Sequence, residues 1–409
     1  MTWLVVAVGL LLLVFLHELG HFAVAIAVGM RPRSFYIGFP PAIAKFRRKG
    51  IEYGIGAIPL GGMVRIPGMH RPAPRDLETF TAAALREDPS LSANVQRVRR
   101  PLETGDYDAA RAELPDLRRA IELAELSPAA RRSAERAVRE VDEGTGSDAY
   151  WRARTWKRIA VIAAGPLMNI LVAFLIFTSV YATGAPTGTP TNRIGEVERN
   201  SPAAVAGLHA GDRVLAVDGK PATTFDRVSQ LIRSSKGKPI TVTVRRDGST
   251  ITLGPRATMR SPDGRWIWGF IPATEQVSYP LGHSARLAAN DLGQVITGTF
   301  RAFGALFHQK DRGQLTSAVG IVRVSQQALK VGFNYYLQIV GLVSMSLALL
   351  NLLPFLPLDG GHILFSIIEG VRRRAVPREV YERVSVVGFG LILLLTFIAL
   401  SNDLGGTPR

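Results

Sequence analysis

Apolar positions follow two different rhythms along this chain. Four long runs are nearly free of charge: 3–28, 159–181, 336–355 and 384–400. A helix that crosses a bilayer needs about 20 mostly apolar residues, so these runs predict four transmembrane helices. Between the second and third runs the rhythm shortens. In 190–275, Ser201-Pro202 marks a helix start, and an alternating stretch lies between the turns Gly211-Asp212 and Asp218-Gly219. Residues 225–235 have helical spacing, and Asp247-Gly248 joins 240–245 to 249–253 as a hairpin.

Other stretches have weaker patterns. Residues 51–69 are β-prone and broken by Gly54, Gly56, Gly61 and Gly62, which predicts two short strands with a glycine turn. Such a hairpin beside membrane helices can offer an edge to an extended peptide. Residues 70–152 are rich in Arg, Glu, Asp and Ala, with helical propensity at 106–126 and 128–142. They read as a charged cytoplasmic helical insert. Residues 284–307 predict a surface amphipathic helix anchored by Leu287, Phe300, Phe303 and Phe307.

The fold class is therefore a polytopic α-helical membrane protein with a membrane-associated β-hairpin and an inserted soluble domain. The chain divides as 1–69 (first span and β-element), 70–152 (insert), 153–185 (second span), 190–275 (soluble domain), 276–335 (amphipathic linker) and 336–409 (third and fourth spans).

Charge adds orientation. The 409 residues carry a formal net charge of +16, and there is no cysteine. Disulfides and thiolate metal sites are excluded. The basic residues cluster after span one (Arg31, Arg33, Lys45, Arg47, Arg48, Lys49), before span two (Arg152, Arg154, Lys157, Arg158) and between spans three and four (Arg372, Arg373, Arg374, Arg378). The positive-inside rule puts all three clusters in the cytoplasm. Both termini and 182–335 then face outward, and the basic balance calls for no nucleic acid.

Span one carries the chemistry. It contains His17-Glu18-Leu19-Gly20-His21. On a helix His17 and His21 face the same way and can hold one metal ion, with Glu18 as general base toward the attacking water. Zinc is the default ion for neutral imidazoles plus a carboxylate. Ionisable groups at membrane depth cost at least ~2.5 kcal/mol each by insertion scales, which argues against a packing role. Catalytic zinc usually takes three protein ligands, and Asp359, at the apolar end of span three, fits the third place; His362 offers a further nitrogen. Asn169 in span two requires a partner inside the bundle.

Two resemblances follow. Ser201–Leu208 (SPAAVAGL) and Gly211–Gly219 (GDRVLAVDG) resemble the PDZ modules of bacterial proteases. That resemblance implies strand addition of a peptide near Ile194 and Gly195. The wider set, HELGH (17–21), IPLGG (58–62), GPLMN (165–169) and NLLPFLPLDGGH (351–362), resembles the site-2 proteases, the M50 intramembrane zinc metalloproteases of the bacterial RseP and RasP type. It implies Zn2+ held by His17, His21 and Asp359, catalysis by Glu18, and substrate contacts from Asn351, Gly61 and Gly62. It further implies a multi-pass protein of the bacterial inner membrane, with an extracytoplasmic PDZ domain and an active site toward the cytoplasm. Its expected partners are the lipid bilayer, single-pass membrane substrates such as trimmed anti-sigma factors or remnant signal peptides, and an upstream site-1-type protease. Two rivals remain: a membrane metal carrier or sensor, which has no need of Glu18, and an inactive PDZ-bearing scaffold, which has no need of an intact triad.

Overall fold

The computed structural model describes residues 2–261, 264–305 and 318–404. Helix α1 (Thr2–Ala27) leads into strands β1 (Ser34–Arg48) and β2 (Ile51–Arg65). The insert follows as α2 (Pro74–Glu87), α3 (Ser92–Thr104), α4 (Tyr107–Ala112), α5 (Leu114–Leu123) and α6 (Pro128–Thr145). After α7 (Thr155–Thr183) come β3 (Ala185–Val197), α8 (Pro202–Val205), β4 (Arg213–Val217), β5 (Lys220–Pro221), α9 (Phe225–Ser234), β6 (Pro239–Arg246), β7 (Ser249–Ala257), β8 (Met259–Arg260), β9 (Trp266–Ile267) and β10 (Phe270–Val277). The chain ends with α10 (Leu281–Ala305), α11 (Ala318–Val331), α12 (Phe333–Asn351), α13 (Asp359–Arg372) and α14 (Arg378–Leu404).

Four of these helices, α1, α7, α12 and α14, are long and apolar enough to cross a membrane. Contacts sort the rest of the chain to the two ends of this bundle. At one end Tyr336 Oη donates to Val5 O (3.1 Å) and Asn334 Nδ2 donates to Gly184 O (2.8 Å), so the starts of α1 and α12 and the β-domain 185–277 lie together. At the other end Arg158 pairs with Glu369 (2.6 Å), Arg378 with Asp76 (2.5 Å), and Tyr150 hydrogen-bonds Ser366 (3.2 Å). The insert, α13 and the starts of α7 and α14 share that end. Arg33 of the first basic cluster also reaches this end, pairing with Asp148 at 3.0 Å.

The first β-element is larger than the sequence predicts. Its turn lies at Lys49-Gly50, where both residues have positive φ, and β1 begins well before residue 51. The strands fold back on themselves: Phe35 pairs with both Tyr53 and Val64, and Tyr36 with both Gly54 and Met63. The sheet thus runs 62–65, 34–37, 51–56, 42–48 across, with 62–65 on one edge. The sequence of β1, with a basic end and Pro40-Pro41 in its middle, carries no two-residue alternation, and its burial is a covered start followed by an exposed remainder.

The β-domain has a sheet ordered β10-β3-β4-β6-β7 over a core that includes Ile194, Val214, Val217, Ile240, Val244 and Trp268. Ser201 caps α8 by accepting from Ala204 N, and Asp247-Gly248 forms the expected hairpin turn at positive φ.

Two expectations are corrected. The amphipathic stretch forms α10, and part of its apolar face packs on protein. Ala288 and Leu292 are buried against Ala173, Phe177, Met345 and Leu349, and Tyr181 Oη donates to Asp291 (2.5 Å). An apolar stripe fixes which face is covered and leaves open what covers it. The side chains of Phe300 and Phe303, and Phe307 itself, lie outside the described residues. Asp359 is not the last residue of span three. A loop of residues 352–358 follows α12, and Asp359 opens α13. Cβ atoms at Gly360 and Gly361 would strike the backbone of that loop, so the two glycines let it fold tightly onto the helix start.

Candidate metal centre

Three segments bring their polar groups to one point in the bundle. His17 and His21 are buried on α1, about 15 Å from its C-terminal end for His17 at 1.5 Å per residue. Their Nε2 atoms lie 3.2 Å apart, and each lies 3.3 Å from Asp359 Oδ2. The donor atoms of the three residues fall within 4.8 Å of one another. Asp359 Oδ2 is buried with no hydrogen-bond partner. Two imidazole nitrogens and an orphaned carboxylate oxygen, all convergent, fit a tetrahedral cation that keeps its fourth position open. His362 lines the same pocket but lies outside this cluster.

Helix α7 holds the imidazoles in place. His21 Nδ1 donates to the Val161 carbonyl (2.8 Å). One turn on, Pro166 has no N–H to contribute to the helix ladder. The amide of Asn169, fully buried, places Nδ2 3.3 Å from His17 Nδ1, and its Oδ1 has no partner. With Nε2 turned to a metal, His17 would carry its proton on Nδ1, and the Asn169 amide, turned over so that Oδ1 faces the ring, would accept it. Ser344 of α12 donates to the Asn169 carbonyl at 2.8 Å, tying the third span to the second.

Three glycines are required by this packing. A Cβ at Gly165 would overlap the His21 ring, and one at Gly62 would overlap the Glu18 side chain. Gly20, within the HELGH motif, likewise lets α1 approach the Ala164 carbonyl of α7. The sequence singled out Asn169 as needing a partner without identifying it, and it did not single out Val161 or the purpose of Gly165. The GPLMN motif was their signal.

The pocket itself has a volume of about 500 Å³. Glu18 lines it beside the three clustered residues, with Gly61, Gly62, Met63 and Val64 from the edge of the first sheet. Asn351, the last residue of α12, also lines it. Every residue that the sequence suggested for the membrane site is thus gathered into one cavity. Ile194 and Gly195 are far from it in the β-domain. There the expected strand addition meets an obstacle: β3 is an interior strand, paired with β10 on one side and with the segment 211–213 on the other. The open edge beside α9 belongs to β10, where the Phe225 and Phe270 rings meet at 6.5 Å.

Comparison with known proteins gives the same direction. Residues 5–395 match the model of peptidase family M50. A putative zinc metalloprotease of Agrobacterium fabrum is 30% identical over 410 residues, covering 96% of this chain and 93% of that protein. The probable protease Eep of Enterococcus faecalis is 28% identical over 420 residues, covering 96% of each. The regulator of sigma-W protease RasP of Bacillus subtilis is 28% identical over 420 residues, covering 96% of this chain and 95% of that one. With a family match across nearly its whole length, the chain belongs to peptidase family M50, and it is a zinc metalloprotease of the membrane.

Proposed function

We propose that this protease cleaves peptide bonds within the membrane-spanning segments of single-pass proteins, with His17, His21 and Asp359 as zinc ligands and Glu18 as the acid–base residue. The observation that carries the reading is the convergence of the three donors beside Glu18, under a sheet edge and among membrane-spanning helices. Zinc supplies Lewis-acid polarisation of the scissile carbonyl and a lowered pKa for water. Glu18 takes the proton of the attacking water and delivers it to the leaving nitrogen. A helical substrate shields its carbonyls in its own hydrogen bonds, so it must unwind to react. The edge 62–65 gives the unwound segment a strand to pair with. Gly61 and Gly62 keep that edge slim, and the Asn351 amide holds the substrate across the pocket.

The charge clusters orient the molecule with both termini outside and the insert inside the cytoplasm of a bacterium. The β-domain is then an extracytoplasmic PDZ module, supported by its Ser201-capped helix and its α9-flanked terminal strand. A peptide end would add to β10. The substrates that suit this layout have lost their outer domains to a separate protease, as trimmed anti-sigma factors or remnant signal peptides have.

The test is Glu18→Gln in purified, reconstituted protein. Zinc content stays at the wild-type level while cleavage of a single-pass substrate is lost, because the amide cannot accept the proton. Cleavage at the normal rate would end this reading, and metal transport without Glu18 would favour a carrier.

A further inference from the structure

A cavity of about 950 Å³ lies against the solvent face of the β-domain sheet. Its wall carries an uncommon arrangement. Arg193 of β3 is in register with Arg213 of β4, and Arg213 with Arg245 of β6. Residues directly opposite on adjacent strands point to the same face. The next residues along, Ile194, Val214 and Val244, are buried in the core, so all three arginines stand side by side on the outside.

Like charges placed opposite one another weaken a sheet. The nearest buried carboxylate does not relieve this row, since Asp212 is held by Arg246 at 2.7 Å. Asp247 also lines the cavity, at the hairpin turn. Among the described residues none of the three arginines is in an ion pair. Arg193 Nε donates to Gly211 O (3.1 Å) and Arg213 Nε to Asn192 Oδ1 (3.2 Å). These bonds fix the stems and leave the ends of the guanidinium forks turned to the cavity. Such forks match phosphate oxygens in pairs.

The lower rim says which phosphate. Thr274 and Gln276 of β10 line the cavity, and the Thr274 hydroxyl hydrogen-bonds Tyr335 in the first turn of α12. Asn334, beside it, holds the carbonyl of Gly184 at the end of α7. The rim therefore sits where two membrane-spanning helices leave the bilayer. Thr274 opposes Pro190 and Pro272 opposes Ile194, so Arg193 stands about 10 Å from Pro190 along β3 at most, at 3.3 Å per residue. A headgroup layer is roughly 5–8 Å thick on each side of the hydrocarbon. An arginine side chain spans the remainder.

We infer that Arg193, Arg213 and Arg245 form a binding site for the phosphate groups of anionic phospholipids in the leaflet beneath the β-domain. Bound lipid neutralises the row and sets the angle at which the domain stands over the bundle. The full chain, purified without cysteine chemistry or truncation, can be titrated with phosphatidylglycerol against phosphatidylcholine and read by native mass spectrometry. The triple variant Arg193→Gln, Arg213→Gln, Arg245→Gln should lose phosphatidylglycerol affinity by about fivefold per arginine removed, and phosphatidylcholine retention should not change. Zinc content serves as the folding check, because none of the three residues lies near the metal pocket. The Lys versions at the same positions should restore most of the binding. Equal phosphatidylglycerol retention by wild type and triple variant overturns the site. Displacement of the lipid by equimolar inorganic phosphate, or preferential binding of a glutamate-rich peptide at this row, also overturns it in favour of those ligands.

Discussion

The helical insert and the membrane bundle use the same residue types in opposite places. In the insert Leu77, Val98 and Leu117 are completely buried, and ion pairs such as Arg99–Glu78 (2.7 Å) and Arg136–Glu140 (2.8 Å) cover the outside. In the bundle Val386, Val387 and Phe397 of α14 are 72%, 73% and 69% exposed, while Asn169 and Ser344 are completely buried. One region was shaped by water and the other by hydrocarbon. The insert gains stability by hiding apolar surface. The bundle has no such drive between its helices, and it depends on close approach at small residues and on polar contacts. The two regions should therefore fail in different ways.

Their buried acids make the same point. Asp212 in the β-domain accepts from two nitrogens of Arg246, Nη2 at 2.7 Å and Nε at 2.8 Å. Asp359 in the bundle meets two imidazoles and no permanent cation. The first acid is paired within the protein, whereas Oδ2 of the second has no hydrogen-bond partner among the described residues.

Three substitutions sharpen this contrast. The largest effect is expected for Leu117→Ala, which empties part of the insert core and should destabilise it by about 2–5 kcal/mol. Hydrogen exchange across 74–145 would rise while zinc content holds. Loss of zinc in that variant would show that the two regions are not separable. Next is Asn169→Ala, which removes the amide beside His17 and leaves the three clustered residues in place. Outer contacts of this kind are worth about 10–100-fold in metal affinity, measurable by chelator competition, with the insert's exchange unchanged. The smallest effect concerns Asp212. Burial alone would raise its pKa, but Arg246 and the His209 backbone N–H hold it below the ordinary 3.8. Its folded-state pKa is depressed, so its contribution is present above about pH 4 and disappears as pH falls through the folded value. Exchange of β4 and β6 amides in the full chain should rise over that acid window, and Asp212→Asn should flatten the response.

Much of the site was legible because its signals are local. His17, Glu18 and His21 lie within five residues, and a single helical turn aligns them. Asp359 is distant in sequence, yet a carboxylate in an apolar setting announces itself. The GPLMN motif was visible, but its purpose was not. That Gly165 clears space for His21 is a fact about two helices crossing, and no spacing within one helix encodes it. The same holds for β1, whose residues 34–37 are paired on both sides by a strand that doubles back. In the β-domain the hairpin at Asp247-Gly248 was readable from its turn chemistry. Which strand keeps an open edge depends on β10, which joins the sheet from the far end of the domain.

The doubled-back sheet leaves residues 62–65 as an edge beside Glu18. Successive carbonyls of an extended chain point to opposite sides, so in a substrate paired with this edge as proposed only every second one can face Glu18. A substrate slipping along this edge by one residue turns its reactive bond away, and slipping by two restores it. Alternative cleavage points in one substrate should therefore share a parity, forming a ladder of products that differ by pairs of residues.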